Sequence, residues 1–483
     1  MNKRLVFRIQ GTILLTLAAS MLPSLLISLG YGGEDALPLL ISMLITAAAG
    51  LPLRLLTKPR NTNLHPREGF VTVALAWLFM SLFGCLPFLF SGFLPTFSDA
   101  FFEACSGFST TGSTVVTDFS HMPRGITFWR SFTHWIGGMG VLVLTLAVLP
   151  QVTGRSSYLV KAESPGPSLS KVAPKIKDSS KILYVVYTII TLIMFIILLL
   201  CGLNPYDAGI HALGTAGTGG FSNHGASIAA FHSPAVEIVM TVFMFIFGSN
   251  LSLYFLIFNG RWRDALRSEE LRWYFGIDAA AFVLISIIIL PGYHGDVGTA
   301  LRQAAFNVAT ITSTSGFVVN DYTLWPVAAR AVILILMFIG ASVGSTAGGM
   351  KTMRIVLLLK QGKRDIHRAF SPRRVSVIRF EGRGVDENML HQTAVFAFVY
   401  LLLVLLGGLL VSLDGLYDIE TNFSAALTCL SNVGPGFGAV GPTGNFAAYS
   451  PFAKTVLSLL MLAGRLELYP ILILFHPKAW RSA

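Results

Sequence analysis

The chain has 483 residues, of which 53% are hydrophobic and 12% charged. A soluble domain carries roughly twice that charged share, about 25%, so a water-soluble globular protein is excluded and a polytopic membrane protein is implied. The net charge of +11 does not indicate nucleic acid, because the basic residues cluster between apolar runs instead of forming one patch.

From the N-terminus, apolar runs fall at roughly 6–30, 36–56, 69–92, 126–150, 180–203, 233–259, 274–291, 327–359, 391–413 and 450–475. Most approach or exceed the roughly 20 residues that cross a bilayer as a helix, so ten spans are expected. The first run resembles a signal peptide but is long and leads straight into further spans, so it reads as a transmembrane helix. Cys85, Cys105, Cys201 and Cys429 have no CxxC spacing and read as small buried hydrophobes.

Alternate connections are basic: Lys3, Arg4 and Arg8; Lys58, Arg60 and Arg67; 151–181; Arg261 to Arg272; eight Lys or Arg in 360–383; and Lys478 with Arg481. The intervening connections hold few. By the positive-inside rule the basic set and both termini are cytoplasmic, and the bilayer is the surrounding partner.

Four of the non-basic connections share a pattern: a short, moderately apolar run of about 10–14 residues, too short to span, followed by a Gly-rich stretch. The short runs begin near Ser98-Asp99, Pro205 with Asp207, Gly298-Thr299, and Asp418 with Glu420 and Thr421, which are capping or turn residues. The cores that follow are Thr110-Thr111-Gly112, Thr218-Gly219-Gly220, Thr314-Ser315-Gly316 and Asn432-Val433-Gly434, with the glycines 108, 96 and 118 residues apart. Phe221, Phe317 and Phe437 come shortly after the last three glycines, placed to pack the descending strands. Two apolar runs lie in each interval. The chain therefore reads as an all-α membrane protein of four pseudo-repeated helix–short helix–loop–helix units around a central pore, behind two extra N-terminal transmembrane helices. The units are expected at 69–155, 156–262, 263–385 and 386–483, after a leading pair in 1–68.

Irregular backbone at membrane depth survives only when buried in protein or facing water, so four such loops imply a shared aqueous axis. Their carbonyls and hydroxyls could ring a dehydrated cation. No carboxylate lies in the four cores, and oxygen dipoles without fixed charge suit potassium. The span from 327 is interrupted by IGASVGSTAGGMKTMRI, with Gly340, Gly344, Ser345, Thr346, Gly348, Gly349 and Lys351. Each interior glycine costs a helix about 1 kcal/mol against alanine, so a break is expected there. Arg465 stands mid-span in SLLMLAGRLELYPILIL. It either pairs with Glu467 or a helix carbonyl, or faces the pore as a counter-charge. Glu103 and Asp99 could make an outer vestibule attractive to cations, and His211, His224 and His232 read as surface or vestibule residues.

The repeat, the cores STTGS, GTGGFS, TSTSGF and NVGPGF, and the leading pair of spans together resemble the Trk/Ktr/HKT superfamily of potassium-uptake membrane subunits, closest to its TrkH branch. The resemblance covers essentially the whole chain. It implies M1–P–M2 units, potassium as the transported ion with no covalent cofactor or transition metal, and an intramembrane gate loop at 339–355. It further implies a pore-facing Arg465, homodimers in a bacterial inner membrane, and a TrkA-type cytosolic nucleotide-binding ring docked near 151–181 and 360–383. Glycine at all four core positions favours potassium over sodium, whereas Asn432 and Val433 depart from the other cores. An enzyme is not expected: nucleophile elbow, HExxH and GxxxxGK[ST] are all missing, and the glycine runs lack a dinucleotide-binding context. A sodium-permeable or ion-coupled transporter of the same superfamily is the alternative.

Overall fold

The computed structural model describes residues 2–57, 66–140, 176–371, 376–477 and 480. The expected basic connections around 58–65 and 151–175, the second half of the span expected at 126–150, and Arg373, Arg374, Lys478 and Arg481 lie outside the described residues.

The described residues are mainly helical, with one hairpin pairing Arg379–Phe380 with Arg383–Gly384. Among the described residues six helices are long and apolar enough to cross a bilayer, Lys3–Gly30, Ala36–Leu56, Glu68–Phe90, Ser180–Leu200, Glu269–Tyr293 and Glu387–Ser412, and the bent pair Pro234–Gly248 and Leu251–Phe258 makes a seventh if taken as one span. The first two pack along one another where Gly11 and Gly50 let the backbones touch; a Cβ on Gly11 would lie 2.7 Å from the Gly50 carbonyl.

Four of the ten expected spans are not among these six helices of the described residues, because the inner helices that follow the four Gly-rich loops are short. Arg124–Gly138, Pro234–Gly248, Val327–Ile339 and Pro451–Arg465 have 15, 15, 13 and 15 residues, about 20 Å of rise against a hydrocarbon core of about 30 Å. Each begins beside a proline, whose fixed φ suits a first turn. Three of them stop where they pass behind the end of a short helix, whereas Val327–Ile339 ends at Gly340 against Gly348 and Gly349 of the loop that follows. A Cβ on Gly137 would strike the Phe108 carbonyl, one on Gly464 the Leu430 carbonyl, and one on Gly248 would lie 3.2 Å from Ser313 Cβ. After Gly248 the chain turns by 96° into Leu251–Phe258, with the Asn250 side chain capping the new helix at Ser252 N, 2.9 Å. After Arg465 it passes through Glu467 and Leu468 at positive φ into Tyr469–Leu474. Only the break after Ile339 was expected from the sequence.

Candidate functional site: four turns on one axis

The four short helices are Phe97–Phe108, Pro205–Gly217, Val297–Thr312 and Ile419–Ser431. Thr96, Asn204, Asp296 and Asp418 cap them, each side chain accepting from the backbone N–H three residues on. Three of these caps precede the residues expected from sequence, because an N-cap oxygen reaches forward to the third residue. Asp99, one of the expected caps, instead binds Lys454 Nζ.

All four helices end alike. Thr110, Thr218, Thr314 and Asn432 take left-handed conformations with φ of 59, 55, 55 and 56°. The next N–H bonds back five residues each time: Thr111 to Ser106, Gly219 to Gly214, and Ser315 to Thr310 at 2.9 Å, and Val433 to Thr428 at 3.0 Å. This is a Schellman turn, which ordinarily has glycine at the left-handed position. A non-glycine residue there costs about 1–3 kcal/mol, so the surrounding structure must hold each turn in place.

Beyond the turns, the four predicted glycines close a ring. A Cβ on Gly112 would lie 2.8 Å from Gly220 N, and one on Gly220 would lie 2.6 Å from the Ser315 carbonyl. One on Gly316 would overlap the Val433 carbonyl, and one on Gly434 would come within 2.7 Å of the Thr111 carbonyl. Each loop thus presses on the next in chain order, and the fourth returns to the first. Outward from the ring a cavity of about 280 Å³ opens, touching all four glycines with no Asp or Glu among its lining residues. Thr110, Thr111, Thr218, Gly219, Thr314, Ser315, Asn432 and Val433 sit inward of it with their neighbours, fully buried or nearly so. Among the described residues no group of three or more His, Cys, Asp or Glu side chains is placed to hold a metal ion. What the ring offers is therefore backbone carbonyls and hydroxyls.

Polar side chains brace the turns. Glu103, expected in the vestibule, is instead fully buried. It accepts from Arg130 Nε at 2.6 Å, Thr114 Oγ1 at 2.9 Å and Val115 N at 3.0 Å. A carboxylate so placed can be buried because a guanidinium and two further donors satisfy it. Arg130 also donates to the Ser222 carbonyl at 2.9 Å and lies 3.5 Å from the Phe221 ring centre, joining the first loop to the second. Phe221, Phe317 and Phe437 are buried as expected. His211 is buried rather than at the surface, against Ser222 and the Asp207 carbonyl, whereas His224 is half-buried and His232 exposed. Asn432 departs from threonine usefully: its Nδ2 donates to Thr111 Oγ1 and to the Met461 carbonyl, both 2.9 Å, tying the fourth turn to the first. Cys85, Cys105 and Cys429 are free and buried, and Cys201 free and half-buried.

An outer set of contacts links each inner helix to the following short helix. Glu237 pairs with Arg302 at 2.6 Å, Arg330 with Glu420, and Lys454 with Asp99; in the first quarter Tyr206 Oη donates to the Arg124 carbonyl at 2.6 Å.

The segment 340–351 leaves the helix axis as a loop closed at its neck. Met350 N bonds to the Phe338 carbonyl at 3.1 Å and Thr352 N to the Ala341 carbonyl at 2.9 Å, with Gly340 against Gly349. Its tip reaches the third and fourth turns. Gly348 N donates to Thr314 Oγ1 at 2.8 Å, and a Cβ on Gly348 would lie 2.9 Å from Asn432 Cβ. Gly344 rests on Asn250 at the bend of the second inner helix, with its carbonyl accepting from Leu251 N at 3.2 Å. Ser345 Oγ donates to the Ser342 carbonyl at 2.6 Å, and Lys351 Nζ to the Ala347 carbonyl at 2.6 Å, so both stabilise the loop from within. Glu270 accepts from Val343 N at 2.6 Å. Arg465 donates to the Thr346 carbonyl and to the Gly137 and Gly138 carbonyls at 2.6 and 2.5 Å. Glu467 pairs with Arg354. Arg465 thus clasps the loop tip to the end of the first inner helix.

The same chain matches known proteins over nearly its whole length. The family model described as TrkH, cation transport protein, covers residues 39–290 and 293–482. The Trk system potassium uptake protein TrkH of Salmonella typhimurium is 34% identical over 490 residues, covering all of both chains. TrkG of Escherichia coli is 31% identical over 99% of each chain. The crystal structure of the potassium transporter TrkH from Vibrio parahaemolyticus superposes with a TM-score of 0.89 at 32% identity, again covering all of both chains. With its apolar spans and this full-length correspondence, the chain is a multi-pass membrane protein that belongs to the TrkH family of cation transport proteins, a family of transporters and not of enzymes.

Proposed function

We propose that this protein carries potassium across the bacterial inner membrane, with both termini in the cytosol, through a selectivity filter built from the four turns. The observation that carries the reading is the ring: four strained turns of one geometry, in cyclic contact through Gly112, Gly220, Gly316 and Gly434. Backbone carbonyls of residues 110–112, 218–220, 314–316 and 432–434 would replace the water around the ion, and the C-terminal partial charges of the four short helices favour a cation at their meeting point. The names of its full-length relatives support potassium as the ion. On this reading each quarter is one M1–P–M2 unit within the boundaries 69–155, 156–262, 263–385 and 386–483, behind the leading pair in 1–68.

The loop 340–351 lies against the third and fourth turns and acts as the gate. Arg465 serves as its latch and as the positive charge beneath the filter. Assembly as a homodimer with a cytosolic nucleotide-binding ring completes the system, and 360–383 is where that ring would dock. Part of this basic segment is already committed within the chain: Lys360 pairs with Glu269 and Arg364 with Glu387, whose carboxylate raises the guanidinium above its usual value.

The deciding experiment is potassium-dependent growth and rubidium uptake in a host lacking its own uptake systems, with each ring glycine changed to Ser in turn. Potassium-selective uptake that becomes sodium-permeable in the variants is expected. Equal carriage of sodium and potassium by the parent would defeat the filter.

A further inference from the structure

One buried acid takes no part in the contacts above. Asp278 sits in the middle of the span Glu269–Tyr293, 3% exposed, and among the described residues neither carboxyl oxygen has a hydrogen-bond partner. Its helix packs on the third short helix, Val297–Thr312, which ends at the turn carrying Thr314. The groups acting on Asp278 are the Thr312 hydroxyl and, one turn along its own helix, Tyr274, whose buried hydroxyl likewise has no hydrogen-bond partner among the described residues. Tyr274 packs with Ala341 and Ala347 of the 340–351 loop.

The charged groups on the surrounding elements are engaged elsewhere. On the third short helix Arg302 pairs with Glu237, and on Val327–Ile339 Arg330 pairs with Glu420. On Thr352–Phe370, Arg354, Lys360 and Arg364 pair with Glu467, Glu269 and Glu387, while Lys363, Asp365, His367 and Arg368 are exposed. On its own helix Glu270 holds Val343 N and Arg272 is exposed; Tyr254 lies beyond Tyr274, and Tyr293 bonds to Gln303 at the far end.

The hydrogen-bond inventory then decides the state. The single proton of the Thr312 hydroxyl is given to the Val308 carbonyl at 2.8 Å, so Oγ1 toward Asp278 can only accept. An ionised carboxylate also only accepts. The Tyr274 hydroxyl can donate to one of these acceptors, but a buried carboxylate without a counter-ion among the described residues would still be costly, and a carboxylic acid supplies the second donor. We propose that Asp278 is a proton-bearing positioning residue, its carboxyl O–H donating to Thr312 Oγ1 and holding the third turn in register with the other three. The proton stands on this local geometry, while its consequence for selectivity rests on the filter reading.

The test uses the full-length protein in proteoliposomes. Infrared spectra should contain a protonated-carboxyl band that disappears in Asp278→Asn. The same band should shift to higher frequency in Thr312→Val, where the acid remains and its acceptor is gone. Rubidium uptake by the parent should fall as alkaline buffer strips the proton, and Asp278→Asn, whose amide is a permanent donor, should lose that fall. Absence of the band at neutral pH, or an Asp278→Asn profile that follows the parent, overturns the proposal. A parent without potassium selectivity overturns the filter reading instead, and the band still decides where the proton is.

Discussion

The four turns on the axis and the loop 340–351 beneath two of them use the same residue types, glycine, serine and threonine, yet are held in different ways. The turns are fixed by covalent geometry and backbone contact: a left-handed residue at each helix end, a Schellman bond behind it, and glycines with no room for a Cβ. The loop has two backbone bonds to the second inner helix, Ser342 N to the Gly248 carbonyl and Leu251 N to the Gly344 carbonyl, and is otherwise held at its tip and flank by side-chain hydrogen bonds, donated by Arg465 and accepted by Glu270 and Thr314. Backbone contact resists displacement everywhere at once, as packed interiors do. A few hydrogen bonds, each worth about 1 kcal/mol net and about 1.5–3 when charged, can be exchanged one at a time. A rigid selector above a releasable plug is the division of labour this contrast supports.

The largest expected effect comes from breaking the rigid half. Gly316→Ala puts a methyl group where the Val433 carbonyl stands, at φ +73°. The left-handed penalty alone is about 1–3 kcal/mol, and the ring neighbours have no slack. We expect the rubidium-to-sodium flux ratio to fall by about tenfold or more, the factor that each 1.4 kcal/mol represents. Gly362→Ala is the control: that glycine lies in the helix Thr352–Phe370 with none of the described residues within 4 Å of its would-be Cβ, and the ratio should not move.

Breaking the latch should have the next largest effect, in the opposite direction. Arg465→Gln keeps a hydrogen-bonding end but loses the charge and the fork that spans Thr346, Gly137 and Gly138. Uptake should rise while the rubidium-to-sodium ratio holds, and a cysteine placed at Ser345 should label faster with a thiol reagent. Faster labelling separates release of the loop from a purely electrostatic effect of the lost charge, which would raise flux and leave labelling unchanged.

The sequence made the turns legible because hydroxyl-rich, glycine-centred stretches recurred in register with the apolar runs, and the loop 340–351 because four glycines cannot sit quietly in one helix. The breaks at Ser249-Asn250 and at Glu467-Leu468 were not legible. The latter lies between Gly464 and Pro470, which mark a break only in retrospect; the chain turns there because the inner helix must pass behind the end of a short helix, which is a tertiary demand. Glu103 was misplaced for the same reason. Its partner Arg130 lies 27 residues away on another helix, and nothing local distinguishes a braced carboxylate from a vestibule one. Asp278 is, like Arg465, a charged residue inside an apolar run and so a signal in the sequence, but its role shows only once its neighbours are known to be acceptors.

Glu270 sharpens the contrast most finely. It is buried and receives Val343 N at 2.6 Å, anchoring the flank of the loop opposite the Arg465 latch. Glu270→Gln preserves an acceptor oxygen at that place, so uptake and Ser345→Cys labelling should stay near those of the parent. Glu270→Ala leaves a buried N–H without a partner, a cost of about 1–3 kcal/mol. That energy falls on the loop alone, because Val343 N is the group left unsatisfied while the ring glycines keep every contact. Faster labelling with an unchanged rubidium-to-sodium ratio is therefore expected of Glu270→Ala. A change in the ratio would mean that the plug and the selector are one mechanical body, and that the different ways they are held do not separate their roles.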